Sequence, residues 1–565
     1  MPQNSNNLSF KLTNKILEFC KHIANSSQIT AICMLNNHLI TKNNSTIPIE
    51  IILVIKDYQP RISTNIRLFE QRNITFFAVD HWIFERDVER SFLGEALAST
   101  LIFPYSSLFG QDFLRQQEIL LKKRLILEQL ENIVQTYPEL SSHIKIKPEY
   151  FMYEALLNRV RIFPPLYNSL SGILTKTIHT KEIDLLLKGY HIALIELKQE
   201  NQICYSKNYV SLKKKFVEKS KKPKMYIKNL RKKTPRRFFA PFFGIYSQIL
   251  NLFSQKTSIL TNLNKFNGSK KVKITKNLVN PQEYILIPTI KGVSSLADGA
   301  DMVTFAKNHL LDEKTIDIKF EKVGGVLNDV YLIRAISKDK EKKIIVKRFK
   351  EWSGFKWFPL SIWSFGTRNL SVLGRSRLAM EYAINGVLRD KGFNVPKIIH
   401  VSHTKRLIFM EYVVGEDLSI IIKNFTESKF SDNANQCLLT IQKVGEIFAK
   451  VHSIDITLGD SKPENVLIDT KGDIFLLDFE QSAYGGDKTW DLAVFLYFMG
   501  HYIPLSCNKT IIASIVNSFL VGYHSGGGDI NHIQKVGNAK YSRIFSVFIL
   551  PSVLLEIANT CKKFY

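Results

Sequence analysis

Residues 458–480 read LGDSKPENVLIDTKGDIFLLDFE, and four of them are of types that do chemistry together. Asp460 is a carboxylate, Lys462 follows two residues on, Asn465 stands five past Asp460, and Asp478 thirteen past Asn465 at the end of the apolar run 474–477. Moving a γ-phosphoryl group calls for such a set. It needs a carboxylate at the acceptor hydroxyl, oxygen ligands for Mg²⁺ beside the phosphates, and a cation within reach of the group in transit. A polar loop with an unrelated surface carboxylate explains any one of these residues; the joint spacing favours the catalytic account.

The elements that must position these residues fall in order upstream. Residues 323–333, VGGVLNDVYLI, read as strand, glycine turn, strand, with Gly324 and Gly325 letting backbone N–H groups approach phosphate. The strand 344–349 carries Lys347, placed for the phosphates, and the helical stretch 375–391 puts Glu381 on one face with Leu378 and Leu388, suited to an ion pair with Lys347. Taken singly, the glycines are a plain hairpin and Glu381 a surface residue. The stretch 406–415, RLIFMEYVVG, reads as a strand and hinge that hold adenine through backbone groups of Glu411 and Val413, and a helix over 436–452 leads into the Asp460 loop.

Residues 312–565 resemble the atypical branch of the protein-kinase-like superfamily: the RIO kinases, the KEOPS-complex kinase, lipopolysaccharide kinases, and the aminoglycoside phosphotransferase and choline kinase group. GGVLNDVYLI is similar to the phosphotransferase pattern G-G-x-x-N-x-V-Y, which adds Asn328 to the nucleotide-binding set. LLDFEQSAYGGDKTWDLA resembles the D-F/W-E…G-D-x-x-x-D-L-A ending of that group, while KRFKEW, RLAMEYAINGVLRDKGFNVPKII and FMEYVVG resemble the RIO and KEOPS kinases. The resemblance implies an α+β two-lobed kinase fold, with an N-lobe over 312–412 and a C-lobe over 413–565. It implies ATP and Mg²⁺ as cofactors, Asp460 as catalytic base, Asn465 and Asp478 as metal ligands, a Lys347–Glu381 ion pair, and Asp491 bracing the loop. The acceptor is expected to be a protein Ser/Thr hydroxyl; a small-molecule alcohol or sugar is the alternative, and an ATP-binding scaffold with a nucleic-acid-binding arm the second.

The departures from the pattern carry information. Leu458 stands in place of the usual histidine, Gly459 in place of arginine, and Glu480 in place of the glycine after Asp-Phe. Only twelve residues separate Asp478 from Asp491, too few for a long phosphorylated activation segment, so the site is expected to be assembled constitutively.

Composition bounds the rest. The 565 residues are 45% hydrophobic and 23% charged, which excludes a disordered or collagen-like chain and suggests about three to four domains. The net charge of +26 points to an anionic partner. Fourteen Lys/Arg against Glu218 give the segment 207–237 half of that excess, and the aromatic stretch 238–253 follows. This arm over 207–276 is read as a solvated insertion, a nucleic-acid contact or a dock for an anionic membrane surface. Six scattered cysteines form neither a zinc site nor a disulfide framework. Without a signal sequence or a transmembrane segment, a cytoplasmic protein is expected, with peripheral membrane association an option.

Residues 1–110 read as an α/β domain with strands at 49–55 and 74–79, 111–206 as a helical extension with helices from Asp112 to about Gln135 and over 183–199, and 277–311 as a connector with a boundary near 300–310. Residues 29–58 resemble a minimal nucleotidyltransferase, whose paired acids hold two metal ions. Here Asn36-Asn37 stand at its G-S turn and Pro48-Ile49-Glu50 at its D-x-D, leaving one acid, with Asp80 as a third candidate. An inactive domain is expected, and an unrelated α/β domain is the alternative.

Overall fold

A computed structural model of the chain describes residues 10–35, 49–69, 72–162, 170, 172–176, 180–222, 278–310, 315–324, 328–337, 341–351, 373–427, 434–504 and 507–565. The chain divides into two compact units, Met1–Leu286 and Ile287–Tyr565. The division lies upstream of the boundary expected near 300–310, and packing is the reason. Phe305, Ala306 and Leu310, assigned by composition to a connector, are buried with Ile333, Val346, Ile399 and Phe409, and Phe305 stacks on Phe409 at 3.9 Å.

In the first unit, helix α1 (Phe10–Ala24) sets Leu12, Ile16, Cys20 and Ala24 four residues apart, a single apolar stripe. That stripe packs on Ile32, Ile51, Leu53 and Ile55 of a five-stranded sheet. Its strands are β1 (Ile29–Leu35), β2 (Ile49–Ile55), β3 (Ile62–Phe69), β4 (Arg72–Asp80) and β5 (Tyr105–Phe109), in the order β3-β4-β2-β1-β5. β2 and β4 run parallel, and the other neighbours are antiparallel. Except for Glu50, β2 is buried throughout, as its largely β-branched apolar sequence requires of a central strand.

Helix α2 (His81–Arg90) follows β4 directly, and α3 (Gln111–Thr136) follows β5. The N-cap of α3 is Gly110, and Asp112 sits in the first turn, where its charge meets the unpaired N–H groups. Buried Glu95 pairs with Arg124 at 2.7 Å and with Arg159, tying the segment after α2 to two helices. The unit continues through β6 (Lys145–Ile146), α4 (Pro148–Ile162), α5 (Thr180–Gln199), β7 (Cys204–Ser206), β8 (Tyr209–Ser211) and α6 (Lys214–Ser220). Lys214, Lys215 and Lys219 are exposed on α6; the remainder of the basic arm from 223 and the aromatic stretch 238–253 lie outside the described residues.

The second unit begins within β9 (Ile285–Thr289) and continues through β10 (Gly292–Ser295) and α7 (Met302–His309). Strands β11 (Thr315–Gly324), β12 (Asp329–Ser337) and β13 (Glu341–Arg348), helix α8 (Gly374–Asp390), and strands β14 (Ile398–Ser402) and β15 (Leu407–Glu411) follow. The five strands make an antiparallel sheet in the order β11-β12-β13-β15-β14. Then come β16 (Gly415–Asp417), α9 (Leu418–Glu427), α10 (Ala434–Ser453), β17 (Ile456–Thr457), and the hairpin of β18 (Val466–Asp469) and β19 (Ile474–Leu476). Strand β20 (Ala483–Tyr484), α11 (Lys488–His501), α12 (Lys509–Ser525), α13 (Ile530–Val536), α14 (Ala539–Ser542) and α15 (Pro551–Lys563) complete it.

Most of these helices share one large core in which Phe448, Phe495 and Phe519 interlock. α10 and α12 approach backbone to backbone through Gly445 and Gly522: a Cβ added at Gly445 would lie 2.2 Å from the Phe519 carbonyl oxygen. Among the described residues, no helix is long and apolar enough to cross a membrane.

Candidate functional site

The second unit gathers a charged cluster from three separate parts of the chain. Lys347 projects from β13 and donates to Glu381 of α8 at 3.1 Å and to Asp478, just past β19, at 2.5 Å. Glu480 stands 3.7 Å from the same ammonium. Glu381 also accepts the Phe479 N–H at 2.8 Å, so one glutamate holds both the lysine and the backbone beside Asp478. Asp478 itself is left-handed, with φ of 62°, a conformation costing a non-glycine residue about 1–3 kcal/mol unless its surroundings hold it there. Here Lys347 and the Glu381–Phe479 bond do so.

The loop 458–465 presents the second group. Lys462 donates to the Asp460 carboxylate at 3.0 Å. Asn465 donates through Nδ2 to the Asp460 carbonyl at 2.6 Å and to its carboxylate at 3.3 Å. The Asn465 carbonyl accepts the Leu477 N–H at 2.9 Å, and Val466 pairs with Leu476, so the β18–β19 hairpin sets Asn465 beside the residue preceding Asp478. Gly459, where the resembled families carry arginine, has φ of 83°, a turn that glycine enters without a Cβ clash.

Asp491, in the first turn of α11, suspends this loop. Its carboxylate accepts the Leu458 N–H at 2.5 Å and the Gly459 N–H at 2.7 Å, and meets His452 Nε2 at 3.1 Å. The Asp491 backbone oxygen accepts Ser461 Oγ at 2.7 Å, and Trp490 donates to the Gly459 carbonyl at 3.2 Å. A fully buried carboxylate meeting three N–H donors is well satisfied, and it ties the loop to α11 at two successive backbone N–H groups.

The protonation states follow from these neighbours. Burial works against the charge on Lys347, but Asp478, Glu381 and Glu480 outweigh it and hold the ammonium above its usual range. Burial pushes Asp478 up and Lys347 pulls it further down, so its carboxyl stays below the usual range. Burial pushes Glu381 and Glu480 up, with Lys347 opposing. Lys462 is held up by Asp460 against its burial.

A divalent cation bound through phosphates fits these donors. Asp478 offers an ionised carboxylate with 29% of its side chain exposed, and Asn465 spends its amide nitrogen on Asp460, leaving the amide oxygen as the atom that could hold a metal. Among the described residues no group of three or more His, Cys, Asp or Glu is arranged to hold a metal. A site of one carboxylate and one amide suits Mg²⁺, which takes its other ligands from phosphate and water.

Other sequence expectations fare differently. Asn328 is not turned toward a nucleotide: its amide is buried, accepting from Arg377 at 2.7 Å and donating to Glu480. A Cβ on Gly324 would meet nothing within 4 Å, so no described contact requires glycine there. Gly325 lies outside the described residues. The Glu411 N–H is committed to the Lys397 carbonyl at 3.0 Å, and Val413 is half-exposed. Arg377 and His452 went unnoticed in the sequence. The i, i+4 spacing of Arg377 from Glu381 was the available signal for the first, since it puts an arginine on the buried face of α8.

In the first unit, the register excludes Asp80 as a partner of Glu50. Glu50 lies opposite Thr75 and Ile55 opposite Asp80, so the two acids sit five residues apart along parallel strands, roughly 16 Å. Asp80 is also spent, capping α2 through the Trp82 N–H at 3.0 Å and accepting the Tyr58 N–H at 2.9 Å. Asn36, Asn37 and Pro48 lie outside the described residues.

No family model matches the chain. Over 98 residues it is 33% identical to the cAMP-dependent protein kinase catalytic subunit PRKX of Mus musculus, a match covering 17% of this chain and 26% of that protein. The chain thus spans about a quarter of the length of this curated relative, and the relationship is kinase-like at that coarse level.

Proposed function

We propose that residues 287–565 form a two-lobed protein-kinase-like domain that transfers the γ-phosphate of ATP, with Mg²⁺, to a hydroxyl acceptor. One juxtaposition carries the reading: the β18–β19 hairpin brings the Lys347–Glu381–Asp478 cluster beside the Asp460–Lys462–Asn465 loop. Bound Mg²⁺-ATP supplies the electrophilic phosphoryl group and neutralises charge as it moves.

The residues have distinct tasks. Glu381 orients the Lys347 ammonium toward the nucleotide phosphates. Asp478 and Asn465 offer the oxygen donors. Asp460 accepts the proton of the acceptor hydroxyl, and Lys462, already paired with it, places positive charge where the transferred group passes.

The acceptor is a protein Ser/Thr hydroxyl, supported by the D-x-K-P-E-N loop and the likeness to a protein kinase catalytic subunit. A small-molecule alcohol is the second reading. It is favoured by the short span from Asp478 to Asp491, which holds β20 and the α11 cap at Asp487 and leaves little platform for a peptide. Incubating the chain with γ-labelled ATP, alone and with cell extract, decides between them by whether label enters protein or small molecules. No transfer to either overturns the phosphotransferase reading.

A further inference from the structure

The glutamate that replaces glycine after Asp478-Phe479 takes part in a closed ring of hydrogen bonds. Arg377, fully buried on α8, donates through one nitrogen to Asn328 Oδ1 at 2.7 Å and to both Glu480 oxygens at 3.3 Å. Asn328 completes the ring by donating through Nδ2 to Glu480. The second terminal nitrogen of Arg377 donates to the Lys350 carbonyl, just past β13. Closing such a ring between a cation and a carboxylate takes a side chain with both an acceptor and a donor, and the Asn328 amide supplies one of each.

The ring joins parts far apart in sequence. Asn328 immediately precedes β12, at the end of the β11–β12 hairpin, and Glu480 is two residues past Asp478. Arg377 and Glu381 lie four apart on α8, so one helical face holds the 478–480 segment at two points: Glu381 through Lys347 and the Phe479 N–H, Arg377 through Glu480. A second tie closes the same end of the hairpin, where Asp329 takes Lys322 at 2.6 Å and Lys350 at 2.7 Å.

We infer that Asn328, Arg377 and Glu480 are positioning residues that fix the β11–β12 hairpin against the Asp478 segment, so that nucleotide phosphates meet a site already closed. The inference rests on the phosphotransferase reading above. A movable activation segment is not needed to set this geometry, because the ring and the Glu381 pair set it within the fold. None of the three touches the reacting atoms; each acts through the hairpin or through Asp478.

The test is a reciprocal exchange in the full chain, read by binding of a fluorescent ATP analogue with Mg²⁺ and, separately, of adenosine. Asn328→Asp sets a carboxylate against Glu480, and Glu480→Gln sets an amide between Asn328 and Arg377. Each alone is expected to weaken ATP binding at least tenfold while adenosine binding stays within twofold, because the hairpin serves the phosphates. The double variant restores the ring with donor and acceptor reversed: the new amide at position 480 donates to the new carboxylate at position 328, and both accept from Arg377. It is expected to return ATP affinity to within threefold of wild type, a recovery that general destabilisation does not produce. Single variants that bind ATP normally overturn the inference, as does a double variant that is unfolded or no better than the singles. A wild-type chain that binds no ATP overturns the phosphotransferase reading itself.

Discussion

Replacing Lys347 with methionine puts the electrostatic account of the site under the most strain. The change keeps an unbranched apolar stem and deletes the ammonium that faces Glu381, Asp478 and Glu480 at 3.1, 2.5 and 3.7 Å. Removing one partner of a buried ion pair costs about 3–5 kcal/mol, because the charge left behind is uncompensated. At about 2–4 °C per kcal/mol for a unit of this size, the melting temperature should fall by roughly 6–20 °C. The pH dependence has a definite sign. In the wild type, the depressed Asp478 pKa contributes stability that is present above the ordinary carboxylate range and lost as pH falls through the folded value. Without Lys347, burial and the mutual repulsion of Glu381, Asp478 and Glu480 lose their main opponent, with only Lys462 still acting on Asp478 and Arg377 on Glu480, so all three carboxyls move up. Groups with raised folded pKa values destabilise most above those values and recover as pH falls through them. The deficit should therefore be large at about pH 7.5 and smaller at about pH 5.5. Scanning calorimetry of the full chain at both pH values reads it. A variant melting within about 2 °C of wild type at the higher pH, or showing the same deficit at both, refutes the reasoning.

The residues proposed for catalysis give sharper outcomes. Asp460→Asn should slow transfer by roughly 10²–10⁴-fold with ATP binding nearly unchanged, and weak binding with unaltered chemistry would assign Asp460 another role. Asp478→Asn should abolish transfer of label from ATP while circular dichroism stays that of the wild type. Phosphatase treatment should leave activity unchanged, since the twelve residues between Asp478 and Asp491 hold no switching loop; a large loss would reveal control elsewhere. If the basic arm contacts single-stranded nucleic acid, changing Arg231, Lys232, Arg236 and Arg237 to Gln should flatten the log–log salt slope of binding by about two to three units, at roughly 0.7 per phosphate contact. Binding to anionic vesicles that falls when Phe238, Phe239, Phe242 and Phe243 become Ser would point to a membrane surface instead.

Local pattern was readable where burial wrote it into the sequence. The unbroken run at 49–55 is β2 with the same limits, and the periodic stretches 375–391 and 436–452 are α8 and α10 within two residues at either end. Long-range pairing was readable only as spacing. The sequence suggested that Lys347 would meet Glu381, but nothing local marks Asn328 and Glu480, 152 residues apart, as partners in a ring. Arg377 looks like a surface residue until the fold buries it. The position of Asp80 was misread because alternation along a strand says nothing about which end of a neighbouring strand lies beside it. The unit boundary was misplaced for a related reason: the 300–310 segment is too short and mixed to show its apolar face, yet Phe305 fills the core beneath the sheet.

The brace at Asp491 has a consequence for how the loop exchanges its amide hydrogens with solvent. Loop amides ordinarily exchange through small local openings, whereas those in helices await larger cooperative ones. Leu458 and Gly459 lie in a loop, but both of their hydrogens are held by a buried carboxylate in the first turn of α11. Deuterium reaches them only when that turn parts from the loop, so the two amides exchange with the slow class that includes α11. Asp460, next in sequence, thereby keeps the persistence of a helix while standing in a loop with its side chain part-exposed to solvent.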